Sequence, residues 1–132
     1  MPSASDLLGD RRRVLVTGGA GFIGGAVVRR LLRETTVTVF NLDKMGYASD
    51  LSSIEEVLSE LGDAAAGRHR LQQVDLTDAA VVEAAVREAN PDLVMHLAAE
   101  SHVDRSISGP GVFIESNVNG TYNLLQAVRR HY

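Results

Sequence analysis

Val14-Leu15-Val16-Thr17-Gly18-Gly19-Ala20-Gly21-Phe22-Ile23-Gly24 packs an apolar strand, a glycine turn and the first turn of a helix into one short run. Each glycine of the G-x-x-G-x-x-G spacing has its own expected task. Gly18 permits the tight turn off the strand, and Gly21 lets backbone approach a pyrophosphate where a Cβ would intrude. Gly24 lets the helix pack close to the sheet. The helix start then offers unpaired N–H groups and the positive end of its dipole to phosphates. Two readings fit the run, a dinucleotide turn and an ordinary strand-to-helix turn. The apolar strand before it and the periodic helix after it favour the first.

The rest of the chain repeats the alternation. Strands are expected at Arg13–Thr17, Thr36–Leu42, Arg70–Val74 and Asp92–Ala98. Helices are expected at Phe22–Arg33, Ser52–Leu61, Asp78–Ala89 and Val112–Arg130, with Asp63–Gly67 as a loop. Ile23, Val27 and Leu31 mark one face of the first helix, and Ile54, Val57, Leu58 and Leu61 one face of the second. Asp78 reads as an N-cap, and Asn90-Pro91 stops the third helix. Strands joined by helical crossovers give a Rossmann-type α/β fold, a doubly wound parallel sheet in the order 3-2-1-4. Leu93-Val94-Met95-His96-Leu97 would be an apolar strand at the open edge of that sheet. Complete proteins usually cover such an edge, so the sheet is expected to be incomplete, the first half of a larger one.

Composition narrows the function. At 132 residues the chain has the size of one domain, and it carries a net charge of −4. Arg11-Arg12-Arg13 is its one basic run, and it reads as a solvated approach to the first strand, so no nucleic-acid partner is expected. The absence of cysteine excludes disulfides and thiolate metal sites, and no histidine spacing suggests a metal. No stretch is long and apolar enough to span a membrane. Residues 1–12 lack the apolar core of a secretory signal and read as a disordered tail before a domain at 13–132. The expected location is cytoplasmic, with no membrane partner.

Candidate ligand contacts gather at the carboxyl ends of the strands, where doubly wound sheets bind ligands. Asp43 stands nineteen residues after Gly24, placed to accept hydrogen bonds from the adenosine ribose. Its charge would repel a 2′-phosphate and favour NAD over NADP, a preference that adjacent Lys44 weakens. Asp75, followed by Leu76, has two readings, an acceptor for the adenine amino group or a cap for the next helix. Leu97-Ala98-Ala99 is small enough to let a cofactor pass over the backbone. The polar crowd after it (Glu100, Ser101, His102, Asp104, Arg105, Ser106) is a solvated loop or the lip of a site. His96 reads as strand packing, and His69 and His131 as surface residues.

Together, LVTGGAGFIG at Leu15–Gly24, NLDKMGYA at Asn41–Ala48, HLAAESHVDRSI at His96–Ile107 and FIESNVNGTYNLL at Phe113–Leu125 resemble the extended short-chain dehydrogenase/reductase family. The resemblance is to its nucleotide-sugar 4,6-dehydratases, nearest the group acting on dTDP-glucose. It runs from Arg13 to the end and covers the N-terminal third of such an enzyme. It implies NAD as cofactor, with Phe22 and Ile23 at the pyrophosphate, Asp43 and Lys44 on the adenosine side and Asp75 and Leu76 at the adenine. It also implies a segment along the cofactor made of Leu97, Ala98, Ala99, Glu100 and Ser101. Ser101 would face substrate as well. Ser116 stands at a cofactor-contacting Thr position and keeps the hydroxyl. Met45 and Gly46 replace a Leu and a Thr, and Gly46 thereby gives up one hydroxyl.

The family's catalytic Tyr-x-x-x-Lys pair and Asp-Glu pair have no counterpart here. The tyrosines are Tyr47, Tyr122 and Tyr132, and Lys44 is the sole lysine. The expectation is a cofactor-holding portion that is inactive alone, with dTDP-glucose as the sugar-nucleotide substrate and a homodimer in the full-length enzyme. Two alternatives stand beside it: part of a UDP-sugar epimerase or decarboxylase of the same superfamily, or a non-catalytic NAD-binding module.

Overall fold

The computed structural model describes residues 3–45, 50–98 and 110–132, with backbone alone at 4 and 110–117. The elements are α1 (Ala4–Leu8), β1 (Arg13–Thr17), α2 (Phe22–Glu34), β2 (Thr38–Asp43), α3 (Ser52–Leu61), a 3-10 turn (Gly62–Ala65), β3 (His69–Gln73), α4 (Ala79–Ala89), β4 (Leu93–His96) and α5 (Pro110–His131). The strands form one parallel sheet in the order β3-β2-β1-β4, the doubly wound order the sequence predicts. By contact, the chain divides into two units, Met1–Gln73 with Pro91–Ala98 and Val74–Asn90 with Ala99–Tyr132.

The first unit holds the whole sheet. Val14, Val16 and Val39 point to the face on which Val28, Leu31, Leu32, Ile54 and Val57 of α2 and α3 close a buried core. Period-two alternation sends Leu15, Phe40 and Leu42 to the opposite face, and they too are buried. This double burial explains why the central strands read as unbroken apolar runs rather than alternating ones. The buried stripe of α2 is Gly24, Gly25, Val28, Leu31 and Leu32. Ile23, expected on that stripe, is 67% exposed, because the paired glycines rotate the contact face by one position and bring the helix start down onto the turn.

Arg68 ties the elements together. Its guanidinium donates to the carbonyls of Val37, Ala64, Leu32 and Thr35, joining the end of α2, the start of β2 and the 3-10 turn. Burial lowers its pKa, and an arginine remains charged there regardless. The N-terminal segment differs from the expected disordered tail. Ser3 and Asp6 form a capping box around α1, Ser5 Oγ donates to Glu34 O, and Leu8 enters the core. Burying one leucine and satisfying the helix end hold a segment whose composition alone suggested none. Likewise the loop expected at Asp63–Gly67 begins within a short 3-10 turn, Gly62–Ala65.

The second unit pairs α4 with α5. Asp78 caps α4 by accepting from Val81 N–H, as expected, and Asn90 ends it in the left-handed conformation at φ 43°. Arg130 pairs with Glu83 at 2.9 Å, and His131 hydrogen-bonds Asn90 Oδ1. No helix among the described residues is long and apolar enough to cross a membrane.

Candidate dinucleotide site at the glycine turn

The glycines Gly18, Gly19, Gly21 and Gly24 after β1 differ in what demands them. Gly18 has φ 75°, and its N–H donates to Leu42 O at 2.8 Å. A Cβ there would sit 2.7 Å from Ala98 Cα, so Gly18 is required by both its dihedral and the approach of the chain after β4. At Gly24 a Cβ would overlap the Gly18 carbonyl, so this glycine seats the helix on the turn. At Gly19 a Cβ would overlap the side chain of Asn41. Gly21 is the exception: its Cβ would meet only Gly18 O, at 3.3 Å, with space otherwise open among the described residues. The tight turn expected at Gly18 is present, and Gly24 does allow close approach of the helix, to the turn itself rather than to the sheet.

Gly21 is also the N-cap of α2 and provides no side chain to cap it. The first-turn N–H groups of α2, which have no partner within a helix, therefore receive no side-chain cap from this position. The apolar side chains of Phe22 and Ile23 are 95% and 67% exposed at the rim of the turn, which is costly unless something covers them.

Asp43 ends β2 beneath this turn. It is 8% exposed, and its carboxylate accepts Ala20 N–H at 3.0 Å and Met45 N–H at 2.7 Å. Two backbone donors thus orient the carboxylate. Asp50 N–H reaches Ala20 O at 2.9 Å, so both ends of the Ala20 peptide unit are held. Met45 takes φ 59°, a left-handed conformation rarely adopted by a residue with a side chain. Lys44 is exposed beside it.

On the other flank, Thr17 is fully buried and acts as a node the sequence reading missed. Its Oγ1 accepts from Leu97 N–H at 3.0 Å and Ala98 N–H at 3.1 Å and lies 2.6 Å from His96 Nδ1. With its lone pairs engaged by two donors, the hydroxyl hydrogen goes to His96 Nδ1, which places the ring proton on Nε2. Burial lowers the His96 pKa and keeps the ring neutral. His69, expected at the surface, is instead part-buried and hydrogen-bonded by Asn41 at 3.2 Å, and its pKa too is lowered by burial. Asn41 itself is fully buried, and its Oδ1 has no partner among the described residues. An unsatisfied buried carbonyl ordinarily costs about 1–3 kcal/mol.

Asp75 and Leu76 belong to the second unit. Asp75 accepts from both the N–H and the hydroxyl of Thr77 in a tight turn, while the capping role falls to Asp78, so the capping alternative for Asp75 is set aside. Leu76 O accepts from Asn123 Nδ2 on α5. Gly46, Ala99, Glu100 and Ser101, with His102, lie outside the described residues, as does the side chain of Ser116.

Comparison with known proteins places this arrangement. A family model described as GDP-mannose 4,6 dehydratase matches residues 15–132. A dTDP-glucose 4,6-dehydratase of Neisseria meningitidis is 50% identical over 121 residues, covering 92% of this chain and 32% of its own length. The dTDP-glucose 4,6-dehydratase 1 of Escherichia coli K12 is 47% identical over 120 residues, again 32% of its length. Among solved structures, a UDP-glucose-4-epimerase from Stenotrophomonas maltophila with bound NAD superposes with a TM-score of 0.76 at 30% identity, over 91% of this chain and 34% of that one. A dTDP-glucose 4,6-dehydratase from Bacillus anthracis in complex with NAD gives 0.69 at 27% identity, over the same shares. The chain thus spans about a third of the length of the relatives it matches. The match from Leu15 to the last residue, on a parallel 3-2-1-4 sheet with its glycine turn after β1, makes this chain a member of the GDP-mannose 4,6-dehydratase family of nucleotide-sugar enzymes.

Proposed function

We propose that this chain is the NAD-binding portion of a dTDP-glucose 4,6-dehydratase. The observation that carries the reading is the glycine turn: Gly18, Gly19 and Gly24 are demanded by the protein's own backbone and side chains, while a Cβ at Gly21, at a helix start with no side-chain cap, would meet only the Gly18 carbonyl at 3.3 Å. The residues present fit a dinucleotide. Helix N–H groups and the Cβ-free Gly21 suit a pyrophosphate, and the oriented Asp43 carboxylate suits the ribose hydroxyls and disfavours a 2′-phosphate. Phe22 and Ile23 would lie along the pyrophosphate, and Lys44, Met45 and Gly46 on the adenosine side. Asp75 and Leu76 would take the adenine. Leu97, Ala98, Ala99, Glu100 and Ser101, with Ser116, would run along the cofactor, Ser101 reaching the sugar nucleotide as well.

Bound NAD supplies hydride acceptance from the sugar's C4 and hydride return at C6. The chain's own contribution is to hold and orient. Asp43 would hold the adenosine end and the start of α2 the phosphates, while Thr17 holds the path of the backbone after β4. No Tyr-x-x-x-Lys pair stands in the sequence to move a proton at C4, so the isolated 132 residues bind NAD and turn over nothing. The exposed stripe Val118, Tyr122 and Leu125 on α5, at i, i+4 and i+7, supports a homodimer in the full-length enzyme.

A second reading, part of a UDP-sugar epimerase, draws support from the superposition on UDP-glucose-4-epimerase. The test of the first is titration with NAD and NADP, followed by incubation with dTDP-glucose. NAD is expected to bind more tightly than NADP, and Asp43→Ala to weaken NAD and narrow the gap. Equal affinity for the two cofactors, or turnover of dTDP-glucose by the isolated chain, would overturn it.

A further inference from the structure

Asn41 stands out among the polar residues of the sheet because nothing in an NAD cradle explains it. It is fully buried, two positions before Asp43 on the same face of β2, and too deep to touch a ligand. Its amide nitrogen donates to His69 Nε2 at 3.2 Å, which directs its oxygen away from His69 and toward Gly19. A Cβ built at Gly19 would overlap Oδ1 and Cγ of Asn41 and lie 2.8 Å from Nδ2. The missing side chain of Gly19 therefore points down onto β2, not outward toward a ligand. The next residue of the turn, Ala20, is held by Asp43 from the same strand face. Two side chains of β2, at 41 and 43, thus carry two consecutive residues of the turn.

We infer that Asn41 is a positioning residue for the dinucleotide turn: it forms the floor on which Gly19 rests, and Gly19 is glycine because of Asn41 rather than because of the cofactor. The orphaned Oδ1 follows from this geometry. The amide must keep its nitrogen on His69 and its carbonyl against a Cα that offers no donor. His69 accepts through Nε2, so its ring proton lies on Nδ1, and it orients the floor.

This inference rests on the NAD-binding reading, and its test separates the two. Four chains are compared, wild type, Gly19→Ala, Asn41→Ala and the double variant Gly19→Ala/Asn41→Ala, each by thermal melt and by calorimetric titration with NAD. Gly19→Ala is expected to lower NAD affinity at least about tenfold, or to unfold, since lifting the turn displaces several phosphate donors at once. Asn41→Ala is expected to weaken NAD about threefold to tenfold, because Gly19 loses its support. The double variant exchanges one side chain's bulk for the other across the same contact. It is expected to melt above Gly19→Ala and to bind NAD within a few-fold of Asn41→Ala. A double variant no more stable and no tighter than Gly19→Ala, including one that fails to fold with it, overturns the inference. So does Gly19→Ala binding and melting like wild type. If the folded wild type fails to bind NAD, the functional reading fails, and the recovery of the melt in the double variant still decides the role of Asn41.

Discussion

At the carboxyl ends of β1 and β2, three polar side chains, Thr17, Asn41 and Asp43, are buried and turned onto the backbone of the glycine turn or of the chain after β4. At the amino ends of β1 and β4 the stitching is different. Asp92, exposed, accepts from Arg12 N–H at 2.8 Å and Arg13 N–H at 3.1 Å, and Arg13 lies 4.7 Å over the Phe40 ring. At β1 and β4 the amino end is thus held by exposed groups that keep their water, whereas before β2 the buried Thr35 and the part-buried Arg68 tie the chain. The carboxyl end accepts the cost of buried polar groups, one of them unsatisfied, to fix backbone atoms in place. The buried polar groups of β1 and β2 lie where the proposed cofactor would need positioning, while Thr35, buried ahead of β2, serves the sheet alone.

Substitutions that force the two ends to answer separately break or sharpen this contrast. The largest effect is expected from Gly24→Ala, whose methyl meets the Gly18 carbonyl. Overpacking of that kind costs about 1–3 kcal/mol, and the upper end is expected because the obstacle is backbone. A denaturant melt within error of wild type would contradict the seating of α2 on the turn. Thr17→Val comes next. It keeps the shape, takes the hydroxyl from Ala98 N–H while Leu97 N–H retains the Thr17 carbonyl, and should cost about 1–3 kcal/mol, whereas Thr17→Ser should retain most of the stability. Equal losses in the two variants would show that packing, not the hydroxyl, matters.

A smaller effect concerns pH. Burial lowers the pKa of His69 and His96 from the usual 6.5. The unfolded chain therefore takes up more protons in the interval between the folded values and 6.5, and stability falls as pH is lowered through it. Melting temperatures between pH 7.5 and 5 are expected to drop in wild type and to drop less in a variant with both histidines replaced by Gln. An unchanged slope would remove the histidines from the account. Smallest of all, Asp92→Ala at the amino end should cost only about 0.5–1 kcal/mol and leave NAD affinity untouched, since its bonds are exposed. A loss of NAD binding there would erase the distinction between the ends.

How much of this was legible in the sequence follows the same division. The strand order and the glycine turn were readable because period, apolar runs and Gly spacing are local signals. Gly18, Gly21, Gly24 and Asp43 could be placed by count alone. Thr17, Asn41 and His69 could not. Each works by contact with residues distant in the chain, Thr17 with Leu97 and Ala98 some eighty positions on, and a lone Thr or Asn at a strand end carries no local mark. A polar residue within an otherwise apolar parallel strand, as Asn41 is within Val39-Phe40-Asn41-Leu42, was the one available hint. The helix face of α2 differs from the expected one for a related reason: Gly24 and Gly25 count as nothing in an apolar periodicity, yet both are buried on that face and Gly24 has no room for a Cβ.

The central claim is that the turn at Gly18–Gly24 cradles NAD through its open position at Gly21. It is tested most directly by calorimetric titration of NAD into the folded chain and into Gly21→Ala, with a melt of each. The account predicts that wild type binds NAD, and that Gly21→Ala melts within about 1 kcal/mol of it, since its methyl would press only on the Gly18 carbonyl at 3.3 Å, while losing most of its affinity. A folded wild type that takes up no NAD, or a Gly21→Ala chain that binds as well as wild type, would contradict it.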